Sequence, residues 1–432
     1  MRKKVSYTVD DAQKFKVSLL QWAQKFYEIV WLDGNEHAQK YSSFDAILAV
    51  DAITAIKTDA NNAFEDLKIY QKESKDWLFG YLSYDLKNDI EQLISKNYDG
   101  LEFPDLYFFQ PKKIIKIQGK KVEFIYLQMV ADEIENDFKV ILALKSNNDL
   151  EVSKNEKLMP IKMRIFKDEY FKQVSKMLAH IHRGDLYEAN FCQEFYIENQ
   201  TINPFKVYQK LNSISKAPFA SFLKINDQYL LCASPERYLK KQGIKVISQP
   251  IKGTAKRSKN KKEDNQLKVD LANNEKERAE NIMIVDLVRN DLSRHALKGS
   301  VKVEELCKIY TFEQVHQMIS TVITEVEADA NPIDIIKSTF PMGSMTGAPK
   351  VSAMNIIEDL EAFKRGLYSG AVGYFSPEND FDFNVVIRSI LYNASKPYIS
   401  FAVGSAITAK ATPEHEYQEC LLKAKAMREV LE

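Results

Sequence analysis

Only four of the 432 residues are cysteines (Cys192, Cys232, Cys307 and Cys420), and no two of them form a Cys-x-x-Cys pair. That scatter excludes a disulfide framework and the usual zinc spacings, and is expected of free, buried thiols in a reducing cytoplasm. No stretch approaches the ~20 apolar residues that a membrane-spanning helix requires. The opening Met1-Arg2-Lys3-Lys4 carries charge with no apolar segment behind it, unlike a signal peptide. Net charge is missing too, since sixty Lys and Arg balance sixty Asp and Glu. No broad field therefore draws the chain to nucleic acid or a membrane, and only a local basic pocket stays open. Internal repeats and low-complexity tracts are absent.

Apolar residues are plentiful, at 45%, enough for two or three compact units or one large α/β or α+β domain. Trp77 to Asp85 reads as a buried strand, with Gly80 where backbones approach closely. The polar stretch Lys145 to Lys157 reads as a linker or exposed loop, dividing an N-terminal region, 1–155, from a second region, 156–432. Asp168 to about His182 is helical and closes at Arg183-Gly184-Asp185. Phe219 to Ile251 alternates short strands with turns, as an antiparallel meander does. One helix is expected from Lys262 to Asn290. Another closes the chain, with Thr412 as N-cap, Pro413 in the first turn, and a stripe through Tyr417, Cys420, Leu421, Ala424, Met427 and Leu431.

Lys252 stands out, set between Pro250-Ile251 and a Gly253-Thr254 turn that fixes its exit from the backbone. With a turn at Gln242-Gly243, Glu236 falls opposite about Gln249, so Lys252 emerges near it on one sheet edge. An acid and an amine so placed suit displacement of a hydroxyl by nitrogen, but geometry alone favours a surface ion pair worth ~0–1 kcal/mol. Glu277 and Glu280 lie one helical turn apart, as do Glu416 and Glu419, with Lys423 a turn further. Like charges at that spacing repel unless neutralised. Meeting across a cleft, they would make an oxygen-rich site suited to Mg²⁺; taken singly, each pair reads as a solvated helix face. Phe340 to Lys350 is a glycine-rich turn running into a helix, without the phosphate-binding P-loop spacing. Arg388, within an apolar strand over Phe383–Leu391, needs either an internal partner or a substrate carboxylate. His316 reads as a satisfied core histidine. Lys252 to Lys262 is basic without interleaved aromatics, and so a solvated loop rather than a nucleic-acid site.

Taken in order, Ile181-His182-Arg183-Gly184-Asp185, Ser234-Pro235-Glu236-Arg237, Pro250-Ile251-Lys252-Gly253-Thr254, Arg278-Ala279-Glu280-Asn281, Asp286 to Asp291, Gly343 to Lys350 and Glu416-Tyr417-Gln418-Glu419 resemble the chorismate-utilising enzymes over about 165–432. Phe79-Gly80-Tyr81 and Phe103-Pro104-Asp105 are fainter marks upstream. The resemblance implies an α+β fold, a large sandwich of antiparallel sheets flanked by helices. Lys252 is similar to the aminodeoxychorismate-forming branch, whereas anthranilate-forming members typically carry alanine there.

For that branch the resemblance implies Mg²⁺ held by Glu280 and Glu419, with Glu277 and Glu416 in support. Glu236 would protonate the C4 hydroxyl of chorismate while Lys252 adds at C2, and ammonia would then attack C4 and expel the lysine from C2. Arg388, Tyr368 and Gly404 would hold the enolpyruvyl carboxylate, with His316, Thr346 and Lys423 completing the lining. Ammonia is implied to come from a glutamine amidotransferase subunit in a heterodimer. To attack, Lys252 must be neutral, so burial or nearby cations are expected to lower its pKa. Glu188 departs from the pattern, since amine-transferring members usually carry glutamine there and water-using ones lysine. Ser405 and Ala406 replace glycines. An anthranilate-forming enzyme and a catalytically silent chorismate binder or scaffold stay open. The four glutamates argue against silence, and the lack of a tryptophan-feedback motif mildly favours the folate branch.

Overall fold

The computed structural model describes residues 1–37, 40–91, 93–144, 160–313 and 315–432. Twenty strands among them join one sheet, and every pairing between those strands is antiparallel. The sheet forks at Leu106–Gln118. One edge of this strand pairs along its length with Ala46–Thr58, while the other is shared by Leu78–Leu82 and Lys121–Leu127. Gly80 makes this possible, because a Cβ there would lie 1.9 Å from the Tyr107 carbonyl oxygen.

From Ala46–Thr58 one arm runs through Glu28–Asp33, Phe219–Ile225, Gln228–Ser234, Ser389–Asn393 and Tyr398–Thr408 to Glu188–Glu198. From Leu78–Leu82 the other runs through Ala371–Phe375, Phe381–Asn384, Arg237–Gln242 and Lys245–Gln249 to Val315–Glu325. That last strand also pairs with Ile251–Lys256 and Lys302–Thr311. Strands from both sides of the 145–157 segment thus share one sheet; the segment itself lies outside the described residues.

The two arms face each other as a sandwich. Val30, Ile47, Leu223 and Leu230 of the first meet Phe79, Val372, Phe383 and Val322 of the second in one core. The period-2 alternation of strands sends Ile29, Trp31, Phe222 and Leu231 to the opposite face. There they form a second core with Leu19, Val174, Leu211, Cys420 and Met427, contributed by helices. Being buried on both faces, these strands read as apolar runs rather than as an alternation. The α+β sandwich expected from the resemblance is the fold observed.

Four local expectations change. The 262–290 helix is two, Lys261–Asn273 and Glu275–Ser293, because Asn274 leaves helical geometry and its side chain accepts from the Glu277 N–H to start the second. The meander breaks at Ser234-Pro235: Gln228–Ser234 stays in the first arm and Arg237–Gln242 enters the second. Lys252 to Lys256 is strand rather than solvated loop. Arg388 lies between the strands Phe381–Asn384 and Ser389–Asn393, in left-handed geometry (φ 51°), not inside one strand.

Candidate active site

The break at Ser234-Pro235 lets the chain cross from one arm to the other, and Glu236 sits at the crossing. The Ser234 hydroxyl accepts from the Glu236 N–H at 3.2 Å, and the Glu236 carbonyl accepts from Val385 N–H at 3.0 Å. Its side chain is buried. Burial drives its pKa up to about 7, a rise that Ser344, Lys252 and Arg388 only partly offset. A cavity of about 20 Å³ lies against it, lined also by Ser248, Asp291 and Ser344. A glutamate held there can carry a proton at neutral pH, as a general acid must.

Lys252 is aimed by an irregularity. In the pairing of Ile251–Lys256 with Val315–Glu325, the register slips between Ile251 and Thr254, which puts Lys252 and Gly253 in a bulge. Gly253 takes φ 91°, and a Cβ there would crowd the Glu277 carboxylate at 3.1 Å. The Lys252 side chain is 12% exposed and donates to Glu188 Oε1 at 2.7 Å. Glu236 and Lys252 are therefore no surface pair. The expected fall in the Lys252 pKa does not occur. Burial pulls it down, but Glu188, Glu280 and Glu236 outweigh burial and raise it to about 12.

Glu188 opens the strand Glu188–Glu198, flanked by the Gly347-Ala348 bridge on one side and Tyr398–Thr408 on the other. A Cβ at Gly347 would lie 2.1 Å from the Glu188 carbonyl oxygen. This is the structural use of the glycine-rich turn: it lets the backbone close against the strand that carries Glu188. Thr346 belongs to the same lock, its carbonyl accepting from Asn190 N–H at 2.8 Å.

The two acidic helices meet, so neither carries a merely solvated face. Lys276 lies 3.8 Å from Glu280 on its own helix and 3.6 Å from Glu416 on Pro413–Leu431. Lys423 pairs with Glu419 at 2.7 Å and donates to the Gly404 carbonyl at 2.8 Å, tying the helix to the strand behind it. Burial raises the Glu280 pKa to about 7, with Glu188 and Glu277 adding to the rise and Lys252 and Lys276 opposing it. Burial and Glu419 also raise Glu277, whereas Lys423 leads the groups that hold Glu419 below its usual value despite burial. Glu280 Oε1 is buried and accepts no hydrogen bond among the described residues, its nearest cation being Lys276 at 3.8 Å. Ligand atoms of His415, Glu416 and Glu419 lie within 4.8 Å of one another. Carboxylates this close, beside a buried Glu280 oxygen that takes no hydrogen bond, fit a hard dication such as Mg²⁺.

The remaining positions divide. Gly404 and Tyr368 meet around Cys192: the Tyr368 hydroxyl is 3.9 Å from its sulfur, and a Gly404 Cβ would be 2.5 Å away. No ion pair from Arg388 occurs among the described residues; burial lowers its pKa while Glu236 opposes the fall. Ser405 approaches Tyr170 at 3.3 Å. His316 spends its ring nitrogens on Thr311 at 3.0 Å and Asp264 at 3.1 Å, as a core histidine does, and among the described residues no hydrogen bond joins it to Glu277, Glu280, Glu416 or Glu419. Thr346 turns its hydroxyl onto the Met342 carbonyl at 3.2 Å. Sequence reasoning missed Lys276, although its i,i+4 spacing to Glu280 is legible. It also found no role for Glu188.

A buried acid, an aimed lysine and clustered carboxylates with displaced pKa values are the gathering of titratable groups that marks an enzyme site. The chain belongs to the chorismate binding enzyme family, whose model matches residues 9–429. It is 33% identical to aminodeoxychorismate synthase component 1 of Bacillus subtilis, over 87% of this chain and 80% of that protein. It is 31% identical to anthranilate synthase component 1 of Aquifex aeolicus, over 82% of this chain and 74% of that one. Among solved structures, anthranilate synthase component I from Streptococcus pneumoniae superposes with a TM-score of 0.77 at 26% identity, covering 91% of this chain and 94% of that one. The menaquinone-specific isochorismate synthase of Escherichia coli superposes at 0.75 with 16% identity, covering 100% and 94%, and shares the fold.

Proposed function

We propose that the protein converts chorismate and ammonia to 4-amino-4-deoxychorismate, in the para-aminobenzoate branch leading to folate. The observation that carries this reading is a buried lysine aimed into the carboxylate cluster, beside a glutamate whose pKa lies at about 7. A nitrogen nucleophile and an acid for a hydroxyl leaving group are the two demands of this substitution. Similarity to aminodeoxychorismate synthase component 1 supports it.

Glu236 gives its proton to the departing C4 hydroxyl while the Lys252 amine adds at C2. Ammonia then adds at C4 and the lysine leaves. Arg388, Tyr368 and the backbone at Gly404 hold the enolpyruvyl carboxylate. Glu280 and Glu419, with Glu277 and Glu416, would hold Mg²⁺, which when bound supplies positive charge for the ring carboxylate. The chain's four cysteines are all buried, and three of them, Cys192, Cys232 and Cys420, lie at or near complete burial. A partner subunit, a glutamine amidotransferase, therefore supplies ammonia in this reading, and the pair works in the cytoplasm.

The test is incubation of the purified chain with chorismate, Mg²⁺ and ammonium, with the product identified by mass. Fluorescent anthranilate as the main product would replace this reading with anthranilate synthesis. No product at all would favour a silent binder.

A further inference from the structure

We infer that Glu188 is the proton acceptor for Lys252, taking a proton from its ammonium as the amine is presented to substrate and returning it when the lysine leaves. The inference rests on the proposed amine-transfer reading and deepens it. Its basis is geometric. The Lys252 nitrogen lies 2.7 Å from Glu188 Oε1, and among the described residues no other carboxylate pairs with it. Glu188 is 1% exposed, and its second oxygen is buried without a partner among the described residues. The strand pairings on both sides of Glu188 and the bulge at Lys252 fix both backbones.

The lysine must lose a proton before it can attack. An ammonium has no lone pair, and the carboxylates around Lys252 outweigh its burial and hold it in that form. Transfer across the 2.7 Å pair needs no exchange with solvent, because the site's total protonation does not change. Other acids face Lys252: Glu236 from the crossing between arms, Glu280 and Glu277 from one helix and Glu419 from the other. Glu236 is committed as proton donor, and the other three belong to the metal set.

The steps balance. Lys252 ammonium and Glu188 carboxylate become amine and carboxylic acid. The amine forms the N–C2 bond, both ring double bonds shift, and the C4–O bond breaks, with the Glu236 proton leaving as part of water. Ammonia forms the N–C4 bond and expels the lysine. One proton of the new ammonium restores Glu236, and Glu188 returns its proton to Lys252.

The experiment measures the first step alone. Chorismate and Mg²⁺ are mixed with the full chain without ammonia, and the lysine adduct is followed by rapid quench and intact mass from pH 6 to 8. Glu188→Gln preserves the shape and a hydrogen bond to the amine but cannot hold the proton, so Lys252 must ionise to solvent. At saturating Mg²⁺, which keeps Glu280 ionised in both proteins, the ratio of variant to wild-type rate should climb about tenfold per pH unit, because the Glu236 limb is common to both and cancels. Glu188→Asp, which keeps a carboxylate, should be slower by a factor independent of pH. A Glu188→Gln ratio constant with pH, or a Glu188→Asp ratio that climbs, overturns the inference and leaves the proposed function standing. No adduct in the wild type overturns the proposed function, and this inference with it.

Discussion

Replacing Glu236 by glutamine should make the protein more stable and less active, with the gain confined to neutral and alkaline pH. Burial raises this carboxyl from 4.5 to about 7. A group whose folded pKa lies above its unfolded value stabilises at low pH and loses that stability as pH climbs through the folded pKa. At ~1.36 kcal/mol per unit, the ionised form costs the fold roughly 3 kcal/mol at pH 8 and under ~0.5 kcal/mol at pH 4.5. Glutamine fills the same volume without ionising, so Glu236→Gln should gain about that difference. With an unfolding entropy of ~2.1 cal/mol/K per residue, the gain is a rise of ~3 °C in Tm at pH 8 and almost none at pH 4.5. Differential scanning calorimetry at the two pH values reads it, and the adduct assay should show the first step lost. A variant no more stable than wild type at pH 8, or equally stabilised at both pH values, would refute the claim that burial governs this acid.

Lys252→Ala should cut aminodeoxychorismate formation at least ~100-fold while leaving chorismate affinity within a few-fold, because the lysine attacks rather than anchors; steady-state rates with saturating ammonia and equilibrium binding check the two halves. Glu280→Gln should weaken Mg²⁺ by at least ~10-fold in titration calorimetry, since it removes one anionic ligand; unchanged affinity would remove Glu280 from the metal set. Gly347→Ala should destabilise by ~1–3 kcal/mol and slow adduct formation by more than the stability loss explains, because the new methyl meets the Glu188 carbonyl at 2.1 Å; equal melting and equal rate would show that the glycine does not hold Glu188.

The chain's own order made much of the fold legible. The alternation of strands and turns expected over Phe219 to Ile251 matches the structure, as Phe219–Ile225, Gln228–Ser234, Arg237–Gln242 and Lys245–Gln249. So does the closing helix Pro413–Leu431. Local signals misled where a single polar residue outweighed the pattern. Asn274 caps a new helix inside what reads as one continuous run.

Sequence by itself fixed which residues are chemically able: an aimed lysine at 252, an isolated acid at 236, and four glutamates at helical spacing. It could not decide whether those groups meet, because pairing between distant strands depends on contacts far apart along the chain. Nor could it decide their protonation. That is set by surroundings drawn from both arms, which hold Lys252 charged against Glu188 and push Glu236 towards the neutral acid. The expectation of a depressed lysine failed for this reason: burial alone lowers an amine's pKa, and only the tertiary structure shows the carboxylates that reverse it.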